Sequence, residues 1–124
     1  MLPNKNIEKA VEGILKSRAR SLVYIYLLKN NGSLTQDIIR GTKLHPSTVR
    51  ELLSKMFNER QIYRKKLKKG LIGKNPYLYY PISPIELLKK HAKEIEDGLN
   101  KIVNLSLSKN KNNKLKIVKI NIKE

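Results

Sequence analysis

Between Arg60 and Lys74 the chain carries seven basic side chains, Arg60, Arg64, Lys65, Lys66, Lys68, Lys69 and Lys74, and no acidic one. A few lysines would be enough to protect an edge strand from aggregation. This density instead suits a run of phosphates. Just upstream, Pro46 to Lys55 interleaves apolar residues with Ser47, Thr48, Arg50, Glu51, Ser54 and Lys55. At helical spacing, Val49, Leu52, Leu53, Met56 and Phe57 share one face and the polar set the other. Arg50 has the fork to bond guanine O6 and N7, a contact that discriminates by about 1–3 kcal/mol. Ser47 and Thr48 can donate to bases or phosphates, and the threonine methyl can pack on thymine. Glu51 can accept from cytosine N4 or pair with Lys55 at i,i+4. Taken alone, such a face could also be ordinary solvated helix surface.

The residues offer little for catalysis. Cysteine is absent, which excludes disulfides and thiolate metal sites. The two histidines, His45 and His91, are far apart and have no ligand cluster around them. Gly70-Leu71-Ile72-Gly73-Lys74-Asn75 is too short for a phosphate loop, and Asn75 stands where a magnesium-binding hydroxyl would be needed. We therefore expect no enzyme, cofactor or metal.

Charge balance points the same way as the basic run. The chain has 124 residues, 27 Lys and Arg against 10 Asp and Glu, and a formal net charge of +17. Lysine enrichment as a thermal adaptation normally brings glutamate with it, and here it does not. A polyanionic partner follows. The longest apolar run, Leu22 to Leu28, is far below the roughly 20 residues that span a bilayer. The first residues, MLPNKNIEK, lack the apolar core of a signal peptide. The expectation is a cytoplasmic, nucleoid-associated protein with no membrane partner.

The elements that must position these groups are legible from periodicity and punctuation. Ile7, Val11, Ile14 and Leu15 predict a short amphipathic helix over residues 1–16. Ser17 predicts the cap of a second, almost wholly apolar helix from Arg18 to about Lys29, stopped by Asn30, Asn31 and Gly32. After the short extended piece Ser33-Leu34, Thr35 is expected to cap a third helix with Ile38 and Ile39 inward, ending near Gly41 to Lys43. Leu44 and His45 make a tight connection, and Pro46 suits the first turn of a fourth helix. Gln61 to Leu67 and Tyr77 to Ile82 read as the strands of a hairpin whose loop carries Gly70 and Gly73. Its tyrosines, Tyr63, Tyr77, Tyr79 and Tyr80, are expected mostly in packing, with base stacking the lesser alternative. Ser83-Pro84-Ile85-Glu86 is a capping box that opens a helix to about Val103, with His91 expected to be exposed. Ile85, Leu88, Ala92, Ile95, Leu99 and Ile102 repeat there at coiled-coil spacing, a seam for a homodimer. The tail 105–124 is lysine-rich, and its segment Leu115 to Ile122 is either a bulged strand or a basic arm.

The fold class expected is thus mainly α with a small β-hairpin, arranged as a winged helix-turn-helix over 17–83 followed by a dimerisation helix over 84–104. Leu34-Thr35, Ile38, Leu44 and Pro46-Ser47-Thr48-Val49-Arg50-Glu51-Leu52-Leu53, followed by Arg60-Gln61-Ile62 and the basic hairpin, resemble the MarR-like and TrmB-like winged-helix regulators common in archaea. The match covers roughly residues 18–83, and the Pro-Ser-Thr-Val-x-x-x-Leu run is its most specific part. Lys43 and Gln61 stand where that family often has glycine. The resemblance implies base reading by Ser47, Thr48, Arg50, Glu51 and Ser54. It also implies backbone contacts from the hairpin, where Arg64, Lys65, Lys66, Lys68, Lys69 and Lys74 are the candidates; Thr35 and Lys55 on the neighbouring helices are further candidates for the DNA backbone. The function expected is a sequence-specific regulator that binds double-stranded DNA. The alternative is an architectural chromatin protein, similar to small archaeal nucleoid proteins that join a winged helix to a coiled coil.

Overall fold

The computed structural model describes residues 5–67, 77–107 and 119–122. In chain order they form α1 (Lys5–Leu15), α2 (Arg18–Lys29), α3 (Thr35–Thr42), α4 (Pro46–Asn58), β1 (Ile62–Lys66), β2 (Tyr77–Pro81) and α5 (Pro84–Ser106). The architecture is mainly helical with one small antiparallel sheet, an α+β arrangement. Two compact units result, Met1–Ile82 and Ser83–Glu124.

In the first unit α2 is the central element, packed against α1, α3, α4 and β2. The Ser17 side chain caps it by accepting from the Arg20 N–H at 3.1 Å, satisfying one of the donors that a helix start leaves free. Val23, Tyr24, Ile25 and Leu27 are buried, whereas Leu28, the last of the apolar run, is exposed. Tyr24 buries its ring and donates its hydroxyl to the Ile82 carbonyl at 2.7 Å. Loss of hydration pushes its phenol up from an ordinary value of 10.0 to about 12. Leu15, Ile38, Val49, Leu53, Met56, Ile62 and Tyr79 complete the buried apolar set of this unit among the described residues.

The start of α3 differs from expectation. Leu34 is the cap residue, in extended conformation with no side-chain cap, and Thr35 is already helical. The Leu34 carbonyl accepts from both Asp37 and Ile38, so the first helical bond closes one residue earlier than the threonine signal indicated. At the other end, Lys43 takes the left-handed conformation at φ 59° and ψ 20°. Glycine adopts that conformation without a Cβ clash, and here a lysine holds it. Two residues earlier, a Cβ on Gly41 would lie 2.0 Å from Tyr26 Cε1, so α3 approaches α2 only because that position has no side chain.

Helix α4 begins with Pro46 at its first turn and is capped by His45, whose Nδ1 accepts from the Ser47 N–H at 3.2 Å. It ends in paired bonds, Gln61 N–H to Met56 O at 2.8 Å and Arg60 N–H to Phe57 O at 3.1 Å. This is a Schellman closure with Arg60 left-handed at φ 60°, the conformation glycine takes most readily. Arg20 on α2 ties that turn down, bonding both Glu59 carboxylate oxygens at 3.0 and 2.9 Å and Gln61 Oε1 at 3.2 Å.

β1 and β2 pair antiparallel, Ile62 opposite Pro81 and Lys66 opposite Tyr77. Ser33 adds a single rung on the other edge of β2, exchanging both backbone bonds with Tyr79 at 3.1 and 2.9 Å. Strand alternation then directs Ile62, Arg64, Tyr77 and Tyr79 to one side of the hairpin and Tyr63, Lys65 and Tyr80 to the other.

In the second unit, Ser83 caps α5 through the Glu86 N–H at 3.2 Å with Pro84 at the first turn, and the helix continues to Ser106, beyond Val103. His91 is half-buried, not exposed, and its Nδ1 is shut off from solvent without a hydrogen-bond partner among the described residues. Of the tail segment Leu115 to Ile122, residues 115–118 lie outside the described residues. Residues 119–122 are not strand: the Ile120 N–H goes to the buried Glu96 carboxylate at 2.9 Å instead of a ladder.

Candidate nucleic-acid interface

The polar face of α4 is held rigidly from both ends. Val49, Leu53 and Met56 anchor the opposite face in the core, with Leu52 and Phe57 half-buried beside them. Ser47, Arg50, Glu51, Ser54 and Lys55 are exposed, and Thr48 is half-buried on one flank. Glu51 and Lys55 pair at 2.8 Å, and that contact, first by hydrogen bonding and then by charge, holds the Glu51 carboxyl below its usual range. Ser47 Oγ lies 2.7 Å from His45 Nδ1, so this hydroxyl is partly engaged in the cap of its own helix. The sequence read His45 only as a turn residue; its capping role depends on backbone geometry that a composition pattern does not specify.

On the hairpin, Lys65 and Lys66 are exposed and Arg64 is half-buried. The Arg64 guanidinium is sandwiched between the rings of Phe57, at 4.0 Å, and Tyr77, at 4.2 Å. Stacking of this kind fixes a cation without neutralising it and leaves the N–H edge for an acceptor. On the other side, Tyr63 stacks on Tyr80 at 5.1 Å and Lys65 lies 5.2 Å from the Tyr80 ring. Lys68, Lys69 and Lys74 fall outside the described residues.

Thr35 and Arg50, assigned separately from sequence, come together. They line one open cavity of about 360 Å³ with Gln36, Ile39, Leu53 and Tyr79, where the N-terminus of α3, the flank of α4 and strand β2 meet. Tyr79 and Gln36 were not singled out for this place. The alternation along β2 puts Tyr79 on the inner face, but which helices it meets there is a tertiary fact.

In the second unit, the seam residues Ile85, Leu88, Ile95, Leu99 and Ile102 are 36–64% exposed, while Ala92 is buried. Leu87, Glu96 and Asn100 are also buried, so α5 has a covered face next to an uncovered apolar one. Among the described residues no group of His, Asp or Glu could hold a metal, and no helix is long and apolar enough to cross a membrane. No protein-family model matches the chain, and neither does any curated protein.

Proposed function

We propose that residues 17–83 form a winged helix-turn-helix of the MarR-like and TrmB-like kind and that the chain is a sequence-specific regulator of transcription that binds double-stranded DNA. The observation that carries this reading is the juxtaposition, in one compact unit, of the polar face of α4 with a hairpin whose first strand carries Arg64, Lys65 and Lys66. A helix anchored on one face and polar on the other is what the major groove admits. The hairpin cations would lie along the phosphates, with the stacked Arg64 as a fixed point beside the exposed Lys65 and Lys66. Ser47, Thr48, Glu51 and Ser54 would face base edges, with Arg50 at the margin of that set. The exposed seam of α5 would pair with the same seam of a second copy and so present two helices to two half-sites. No catalytic step, cofactor or metal enters this proposal.

The net charge of +17 favours a second reading, an architectural protein that coats DNA with little sequence preference. Sequencing of genomic fragments retained by the purified protein at low and at physiological salt separates the two. Enrichment of a few sites that persists at the higher salt is the outcome expected of a regulator. Uniform coverage at both concentrations would make the protein architectural, and no retention at either would end the DNA-binding reading.

A further inference from the structure

The cavity between α3, α4 and β2 gathers hydrogen-bond donors from three elements, on Thr35, Gln36, Arg50 and Tyr79. The first two N–H groups of α3, on Thr35 and Gln36, have no acceptor among the described residues, because the apolar Leu34 side chain at the cap position offers none. Such N–H groups, with the helix dipole behind them, favour a negative charge. Tyr79 is only 8% exposed, yet its hydroxyl finds no partner among the described residues and is not sealed from solvent. A buried ring whose hydroxyl opens onto the cavity it lines can donate that O–H to a group bound there. Arg50, on the flank of α4, is exposed and pairs with no carboxylate among the described residues. Neither nearby acid lines the cavity: Asp37 is bound by Arg40 at 2.9 Å and Glu51 by Lys55 at 2.8 Å. The volume, about 360 Å³, far exceeds the roughly 30 Å³ of one water.

We propose that this cavity seats one phosphodiester of the DNA backbone, held by the Arg50 guanidinium, the Tyr79 and Thr35 hydroxyls and the free N–H groups of Thr35 and Gln36. The assignment rests on the DNA-binding reading above and moves Arg50 from the base-reading set to the backbone set. It also gives α4 a fixed register, since a phosphate anchored at its flank limits how the helix can roll in the groove.

The test uses the full chain and two short duplexes, one of a selected sequence and one random, titrated across a salt series. Arg50→Gln should weaken binding to both duplexes by a similar factor, about tenfold or more, and flatten the log–log salt slope by about 0.9. Arg50→Lys should restore the slope but not the affinity, because the lysine keeps the charge and loses the fork. Tyr79→Phe, which removes only the hydroxyl, should lower affinity on the order of tenfold without lowering the unfolding temperature. Should that variant fold poorly, Thr35→Val replaces it with the same expected direction. A methylphosphonate scan should find one phosphate whose neutralisation weakens the wild type and leaves Arg50→Gln unaffected. A loss confined to the selected sequence in Arg50→Gln would make Arg50 a base reader and overturn the site. So would wild-type affinity in both Tyr79→Phe and Thr35→Val. Wild-type protein that binds neither duplex would instead overturn the functional reading itself, and the site with it.

Discussion

Tyr24 shows how one side chain sets a stability margin. Its hydroxyl donates to the Ile82 carbonyl at 2.7 Å from a ring that is 1% exposed. Burial disfavours the phenolate, so ionisation begins near pH 10 in the unfolded chain and only near about 12 in the folded one. The stabilisation is complete below pH 10 and is lost as pH climbs toward 12, on the order of 2–3 kcal/mol across the interval. Tyr24→Phe should cost about 1 kcal/mol at neutral pH by orphaning the carbonyl. Urea unfolding at pH 8 and pH 11 should show the gap between wild type and variant closing or reversing at the higher pH, because only the wild type loses roughly 1.4 kcal/mol there. A gap that widens would mean that the phenol is not protected by burial.

At the scale of elements, residues that break a local rule mark where helices are pressed together or stopped. Glycine within a helix normally costs close to 1 kcal/mol relative to alanine. At Gly41 the sign should reverse: a Cβ would strike the Tyr26 ring at 2.0 Å, and Gly41→Ala should destabilise by about 1–3 kcal/mol in a thermal melt. A stabilised variant would mean that the Tyr26 ring swings away freely. Lys43 breaks a rule in the opposite sense, holding a left-handed cap that glycine would occupy without strain. Lys43→Gly should raise stability by about 0.5–1 kcal/mol, the relieved strain being offset in part by a more flexible unfolded chain. A fall in unfolding temperature would show that the lysine stem contributes packing there.

For the whole molecule, charge and the uncovered face of α5 carry the proposed behaviour. Neutralising Lys65, Lys66, Lys68 and Lys69 together should weaken binding to all duplexes alike and flatten the salt slope by up to about 3.6, at roughly 0.9 per phosphate contact. An unchanged slope would remove the hairpin from the interface. Ile95→Lys with Leu99→Lys should convert the proposed dimer to monomers that remain folded, because both side chains are exposed in the single chain. Affinity for a two-half-site duplex should then fall far more than affinity for one half-site, since each half must bind alone. Light scattering that finds the wild type monomeric at micromolar concentration would sink the dimer.

Much of this protein was legible along the chain because helix periodicity and punctuation are local. Ser17, Pro46, Ser83 and Pro84 mark helix starts through bonds and φ angles that involve only nearby residues, and the structure places helices at each. The alternation of Val49, Leu53 and Met56 with Ser47, Arg50 and Ser54 likewise separates a buried from an exposed face without reference to any partner. The net charge of +17 and the basic run are properties of composition alone. Contacts between residues far apart in the chain were not legible. Arg20 meets Glu59 across 39 residues, and Tyr79 comes together with Ser33 and Thr35 from one other segment and with Arg50 from a second. Nor could one-dimensional spacing tell Leu34 from Thr35 as the cap of α3, since the choice turns on which backbone carbonyl accepts first. Local sequence thus determined the elements and their faces. Only close packing in three dimensions decided which unpaired donors converge on one cavity, because that depends on the relative placement of elements that share no sequence neighbourhood.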